Sequence, residues 1–177
     1  MKIKTSLSVV IRILLWLIML VGGAYYSISK DIDNYYFNNI YFHIVTAILG
    51  IVLIILSFRA SANGGKELTK GRIGDIPRLE TNRLVTTGIY KCMRHPMLFG
   101  LTLLPMGWAL LIGSPTFIKI VAPLEMIFIL IMVLIFEEME VNKKFGKAYK
   151  EYKEETPMVS LNRECLKKLF YDSKKSK

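Results

Sequence analysis

Residues 96–138 read PMLFGLTLLPMGWALLIGSPTFIKIVAPLEMIFILIMVLIFEE. Two apolar runs, Met97 to Gly113 and Phe117 to Phe136, flank the break Gly113-Ser114-Pro115-Thr116 and end on paired carboxylates. A helix that crosses a bilayer needs roughly 20 mostly apolar residues, within a range of about 17–25. The break is a tight turn, and its Ser or Thr is placed to cap the following helix. Two more apolar runs precede this hairpin. Leu7 to Ile28 and Ile40 to Phe58 are joined by the polar, aromatic link Asp31 to Tyr41. The expected fold is all-α: a multi-pass transmembrane bundle of about four spans in two hairpins.

Working outward, the 177 residues leave room for one membrane domain. It divides into an N-terminal hairpin (1–59), a connecting loop (60–96), a second hairpin with an amphipathic helix (97–157) and a basic tail (158–177). The net charge is +10. In a soluble protein that would suggest nucleic acid. Here the charge follows the positive-inside pattern instead. The link from Ser29 to Asn39 sets one Lys against Asp31 and Asp33, whereas the link from Arg59 to His95 carries Arg59, Lys66, Lys70, Arg72, Arg78, Arg83, Lys91 and Arg94. Both termini are therefore expected in the cytoplasm, facing an anionic inner leaflet. The first run has a basic start and small residues at Gly22, Gly23 and Ala24, but it is longer than a signal-peptide core and is expected to be retained. Cys92 and Cys165 fall on the cytoplasmic side and have no metal-ligand neighbours, so two ordinary thiols and no metal site are expected.

The segment from Ala60 to Arg94 holds Asn63-Gly64-Gly65, Gly71, Gly74 and Pro77, which reads as loop. His95-Pro96 opens the third run. Proline suits the first turn of a helix and pushes its predecessor out of helical geometry. Arg94 and His95 then sit at a helix N-terminus on the membrane edge, a natural anion site. Pro105 and Pro123 lie inside spans, where kinks are tolerated. Beyond Phe136 the helical period places Glu137, Glu138, Val141, Phe145, Ala148, Tyr149 and Tyr152 on one face. That predicts an amphipathic helix continuing into the cytoplasm or lying along the interface. Two carboxylates on its apolar face require a cation or donors opposite them. The tail past Pro157 is polar, basic and expected to be loose. Glu125 falls well inside the fourth span. A protonated side chain, a pairing with His43 or Arg12, and a substrate role all remain open for it.

Two segments carry the chemistry. The first contains Gly88-Ile89-Tyr90, Arg94-His95-Pro96 and Gly100. The second contains Glu137-Glu138, Phe145-Gly146 and Tyr149 to Tyr152, with Pro157 further along. In this order, one helical hairpin apart, they resemble the isoprenylcysteine carboxyl methyltransferase and phospholipid methyltransferase group of membrane proteins. The resemblance runs from about Leu84 to Pro157, and Gly107-Trp108 and Ser114-Pro115-Thr116 look like the phospholipid branch. Leu98 departs from it, since the group usually has Tyr there.

The resemblance implies S-adenosylmethionine as cofactor, with Tyr90, Arg94, His95, Pro96, Gly100, Glu137 and Glu138 around it, and His95, Arg94 and Glu138 in the chemistry. Such a site wants carboxylates, an anion cradle and aromatic faces. The acceptor it implies is a lipid or prenylated molecule, most directly a prenylcysteine carboxylate. The alternatives are a phosphatidylethanolamine-type amine, a small thiol, or no catalysis in a relative that binds lipid or a partner. Taken singly, each residue has a plainer reading. Arg94 and His95 fit a solvated basic edge, Glu137-Glu138 the end of a span, and Tyr149 and Tyr152 interfacial anchors. The ordered set favours function. Oligomeric state has no signature in the sequence.

Overall fold

The computed structural model describes residues 2–74 and 81–171, with side chains from Leu14 onward. Every regular element among the described residues is helical. The helices are α1 (Lys2–Asp31), α2 (Ile40–Leu68), α3 (Pro96–Ile112), α4 (Ala122–Met132), α5 (Glu138–Glu155) and α6 (Arg163–Phe170). Wider π-helical turns, Phe117–Val121 and Val133–Glu137, flank α4. Among the described residues two stretches are long and apolar enough to cross a membrane, Ile40–Gly71 and Phe117–Glu155, and Pro96–Ile112 is a shorter apolar helix. Only 17% of the apolar window in each long stretch is buried, unlike the core helix of a soluble protein. Ile44, Val45, Ile48 and Leu49 on α2, and Leu124, Ile127, Phe128 and Ile131 on α4, are exposed. Apolar surface of that extent calls for lipid.

Two compact units make up the chain. The first comprises Met1–Leu53 and Pro105–Phe128. Small residues set how closely its helices approach. A Cβ on Gly50 would lie 2.6 Å from the Leu111 nitrogen and 2.7 Å from the Gly107 oxygen, so only glycine lets α2 rest on α3 there. Ala24, Ala109, Phe117 and Ala122 form the core. Asp31, at the end of α1, is buried and accepts from Ser114 Oγ (2.5 Å), Thr116 N (2.8 Å) and Thr116 Oγ1 (2.6 Å). Burial alone would raise its pKa, but the Ser114 and Thr116 bonds outweigh burial and lower it. Ser114 Oγ also accepts from Phe117 N at 3.1 Å, the helix cap expected of this turn. His43 is engaged by the Phe37 carbonyl and lies against Gly113. Glu125 is buried, and its Oε2 has no hydrogen-bond partner among the described residues. The Arg12 side chain, one of the partners open to Glu125, lies outside the described residues.

The second unit comprises Ile54–Leu104 and Ile129–Lys177, and it departs from the sequence expectations in four places. First, α2 runs past Phe58 to Leu68, through Asn63-Gly64-Gly65. These residues serve packing and make no turn. A Cβ on Gly64 would come 2.6 Å from Met97 Cγ, and Asn63 Nδ2 donates to the Leu169 carbonyl at 2.8 Å. Second, the described part of the tail, as far as Tyr171, is not loose. Asn162 caps α6 by accepting from Glu164 N at 2.9 Å. Leu169 is wholly buried in a core with Ala60, Val85, Ile89, Tyr90 and Met93. Third, that docking brings Cys92 and Cys165 to a Cα separation of 5.6 Å, where they form a disulfide. Cytoplasmic placement alone favours two thiols, whereas the docking of α6 puts the pair within bridging distance.

Fourth, α5 is not one continuous helix. Gly146 adopts φ +54°, ψ −123°, and the chain turns back there. A straight helix would separate Glu138 from Tyr149 by about 16 Å at 1.5 Å per residue. Their side chains instead form a hydrogen bond of 2.6 Å. Positive φ is open to glycine and strained for other residues. A Cβ on Gly146 would meet nothing within 4 Å, so any cost of substitution is conformational. Gly146→Ala should destabilise the second unit by about 1–3 kcal/mol, read as faster amide exchange at Tyr149 and Tyr152. Gly22→Ala, at another glycine with open space around it, is the control that should leave exchange unchanged.

Candidate active site

The site grows from the start of α3. Pro96 is its first residue, so Arg94 and His95 stand just before a helix N-terminus, as the sequence predicts. Their backbone positions are fixed by the segment after α5. Arg94 N donates to the Pro157 carbonyl at 3.0 Å and His95 N to the Met158 carbonyl at 3.4 Å. The carboxylates come from the junction of the Val133–Glu137 π turn with α5. A π turn carries one extra residue and so rotates the next stretch of helix about its axis. Glu138 faces inward with 7% of its side chain exposed, while Glu137 keeps 35%.

Glu138 is the hub. Arg94 Nη1 lies 3.0 Å from its Oε2 and 2.9 Å from its Oε1. His95 Nε2 is 2.8 Å from Oε1, Tyr149 OH donates to Oε1 at 2.6 Å, and Lys153 Nζ donates to Oε2 at 2.6 Å. Burial pushes the Glu138 pKa up. The Lys153, Tyr149 and His95 bonds and the Arg94 charge overcome that and lower it to about 2. Burial and the bond to Glu138 raise the Tyr149 pKa, so Tyr149 remains a donor. An ionised carboxylate only accepts, so His95 Nε2 carries the proton toward Glu138. The other ring nitrogen, Nδ1, lies 3.6 Å from Glu137 Oε2.

Arg94, His95, Glu137 and Glu138 thus converge. Tyr90 lies at one remove: it sits in the short turn Gly88–Lys91 with its ring in the core, and its carbonyl accepts from Tyr152 OH. Pro96 is fully buried at the helix start. Gly100 is a packing position, because a Cβ there would come 2.7 Å from Ala60 Cβ and 2.9 Å from the Ser57 oxygen. Phe99, beside the Leu98 that replaces the usual Tyr, packs against the Ala60 core. The sequence reading passed over Lys153, and it held Tyr149 and Tyr152 within the motif but gave them no part in the cofactor or catalytic set. The available signal was Gly146, a residue able to reverse the chain between Glu138 and those side chains.

Apolar helices with outward-facing aliphatic surface, joined to a buried ionic cluster, define an integral membrane protein with a polar site. A family model described as phospholipid methyltransferase matches residues 39–148, more than half of the chain. The chain belongs to the phospholipid methyltransferase family, a family of integral membrane methyltransferases. No curated protein and no solved structure matches it.

A lowered carboxyl pKa gives stability that is complete above the unfolded value and lost as pH falls through the folded one. For Glu138 those values are 4.5 and about 2. Wild type should therefore exceed Glu138→Gln in thermal stability by a constant margin from about pH 8 to about pH 5. Melting curves of the pair should converge as the pH is lowered further toward about 2.

Proposed function

We propose that the protein transfers a methyl group from S-adenosylmethionine to the headgroup amine of a membrane phospholipid. The observation that carries this reading is the His95 imidazole, with Nε2 2.8 Å from Glu138 and Nδ1 3.6 Å from Glu137. An amine must lose its proton to become a nucleophile, whereas a carboxylate acceptor needs no base. Nδ1 is positioned to take that proton, and both carboxylates would stabilise the imidazolium that results. The prenylcysteine carboxylate, the most direct expectation from the sequence, has no use for this dyad and takes second place.

The residues present fit the cofactor. Arg94 Nε is buried without a hydrogen-bond partner among the described residues, a donor available to a carboxylate beside the helix N-terminus. Glu138 is saturated by four protein partners, so the half-open Glu137 is the group left to meet a cation. Bound there, S-adenosylmethionine supplies an electrophilic methyl group. Arg94 and Glu137 would hold its charged ends, and the apolar wall of the neighbouring helix would keep water from the reacting pair.

The test is methyl-labelled cofactor incubated with purified protein, phosphatidylethanolamine and a prenylated cysteine acceptor. Label surviving alkali in the lipid fraction is the expected result. His95→Gln, whose amide keeps a donor for Glu138, should lower kcat by about 100-fold. Label released by alkali as methanol would restore the prenylcysteine acceptor. Calorimetry showing no binding of S-adenosylmethionine or its demethylated product would leave a non-catalytic lipid-binding relative.

Four spans with both termini in the cytoplasm complete the reading. The basic residues support it, and the disulfide pulls the other way, since the cytoplasm is reducing. A fluorescent protein fused after Lys177 should fluoresce, whereas an active alkaline phosphatase fusion at that position would reverse the orientation.

A further inference from the structure

The turn at Gly146 folds the second limb of α5 back beside the first and leaves a cavity of about 320 Å³ open to the surface. Glu138 and Tyr149 line it, and the rest of its wall takes no part in the methyl transfer proposed for His95 and Glu137. Lys150 and Lys153 lie three residues apart on one helix, so both ammonium groups reach the same side. Asn142 adds an amide from the opposing limb. Leu134 and Met139 complete the lining, and both are largely exposed outside it, on the apolar surface that faces lipid.

We propose that this cavity holds the phosphate of a phospholipid headgroup, with Lys150 and Lys153 as its cations. The proposal rests on the reading of the protein as a phospholipid methyltransferase and names the second contact that its acceptor makes. Charge decides the class of ligand. Glu138 is a single carboxylate set against Arg94, Lys153 and Lys150. Arg94 and Lys153 already compensate it, so the cavity has positive charge left over and favours an anion. Lysine ammonium groups bind phosphate as point charges, and an amide donor suits a remaining phosphate oxygen. The apolar flank from Leu134 and Met139 points to a lipid rather than a free ion, because glycerol and acyl carbons need a surface to lie on. Phosphate on the lysines would leave the headgroup amine, two carbons away, beside the Glu138 wall of the cavity. The lysine pair would thus set specificity for a zwitterionic headgroup.

Lys150 is the residue to change. It is exposed on α5, and Lys153 is unsuitable because it also holds Glu138. The protein in a phosphate-free maltoside detergent is titrated with dihexanoylphosphatidylethanolamine and followed by phosphorus NMR line broadening. Wild type should bind, Lys150→Gln should weaken binding about tenfold, and Lys150→Glu should weaken it more. Inorganic phosphate at the same concentration should not displace the lipid. Equal affinity of wild type and Lys150→Gln would overturn the site, and displacement by inorganic phosphate would make it a free-anion site and overturn the lipid assignment. Lysine-dependent binding without methyl transfer would keep this site and remove the enzymatic reading. Methyl transfer to phosphatidylethanolamine with an unchanged KM in Lys150→Gln would do the reverse.

Discussion

A carboxylate buried at the end of an apolar helix costs several kcal/mol unless donors surround it. Glu138 is that carboxylate, and the second unit is arranged to supply it. Arg94 and His95 arrive from the start of α3, Tyr149 and Lys153 from the far limb of α5. Each delivery imposes its own condition on the backbone. Pro96 fixes the entry to α3, the Pro157 and Met158 carbonyls hold the two residues before it, and Gly146 reverses the chain. Removing one donor would leave charge uncompensated in a place water reaches poorly, so the four partners behave as a set.

The two neighbouring carboxylates divide the work. Glu138 is immobilised by its partners and organises the site. Glu137 makes the longer approach to His95 and keeps part of its side chain open, which leaves it able to respond to an incoming cation. The π turn before them produces this asymmetry. In an unbroken α-helix the preceding apolar face would run on in register, and the inward position would fall to a different residue.

Much of this was legible in the sequence where one local rule governs one local outcome. Arg94-His95-Pro96 announced a helix start, Ser114-Pro115 announced a cap, and the ordered motifs announced the convergence of Arg94, His95, Glu137 and Glu138. The hidden features depend on contacts distant in sequence. Asn63-Gly64-Gly65 has the composition of a turn, yet Met97 and Leu169 make it helix. Asp31 looked like a loop charge until Ser114 and Thr116 surrounded it. Gly146 sat inside a convincing amphipathic period, and that period concealed a reversal. The tail looked like a solvated basic segment because its few apolar residues gain their meaning only from the core formed by Val85, Ile89 and Met93.

The Cys92–Cys165 bond spans 73 residues and encloses α3, the turn at Ser114, α4 and both limbs of α5. Apart from Tyr90, every residue assigned to the site therefore lies on a covalent ring. A protease that cuts the ring once, at the turn between α3 and α4 for instance, opens it without producing two separate molecules. The nicked chain would keep Arg94 tethered to Glu138 through the sulfur bridge, and the halves would part only under reduction.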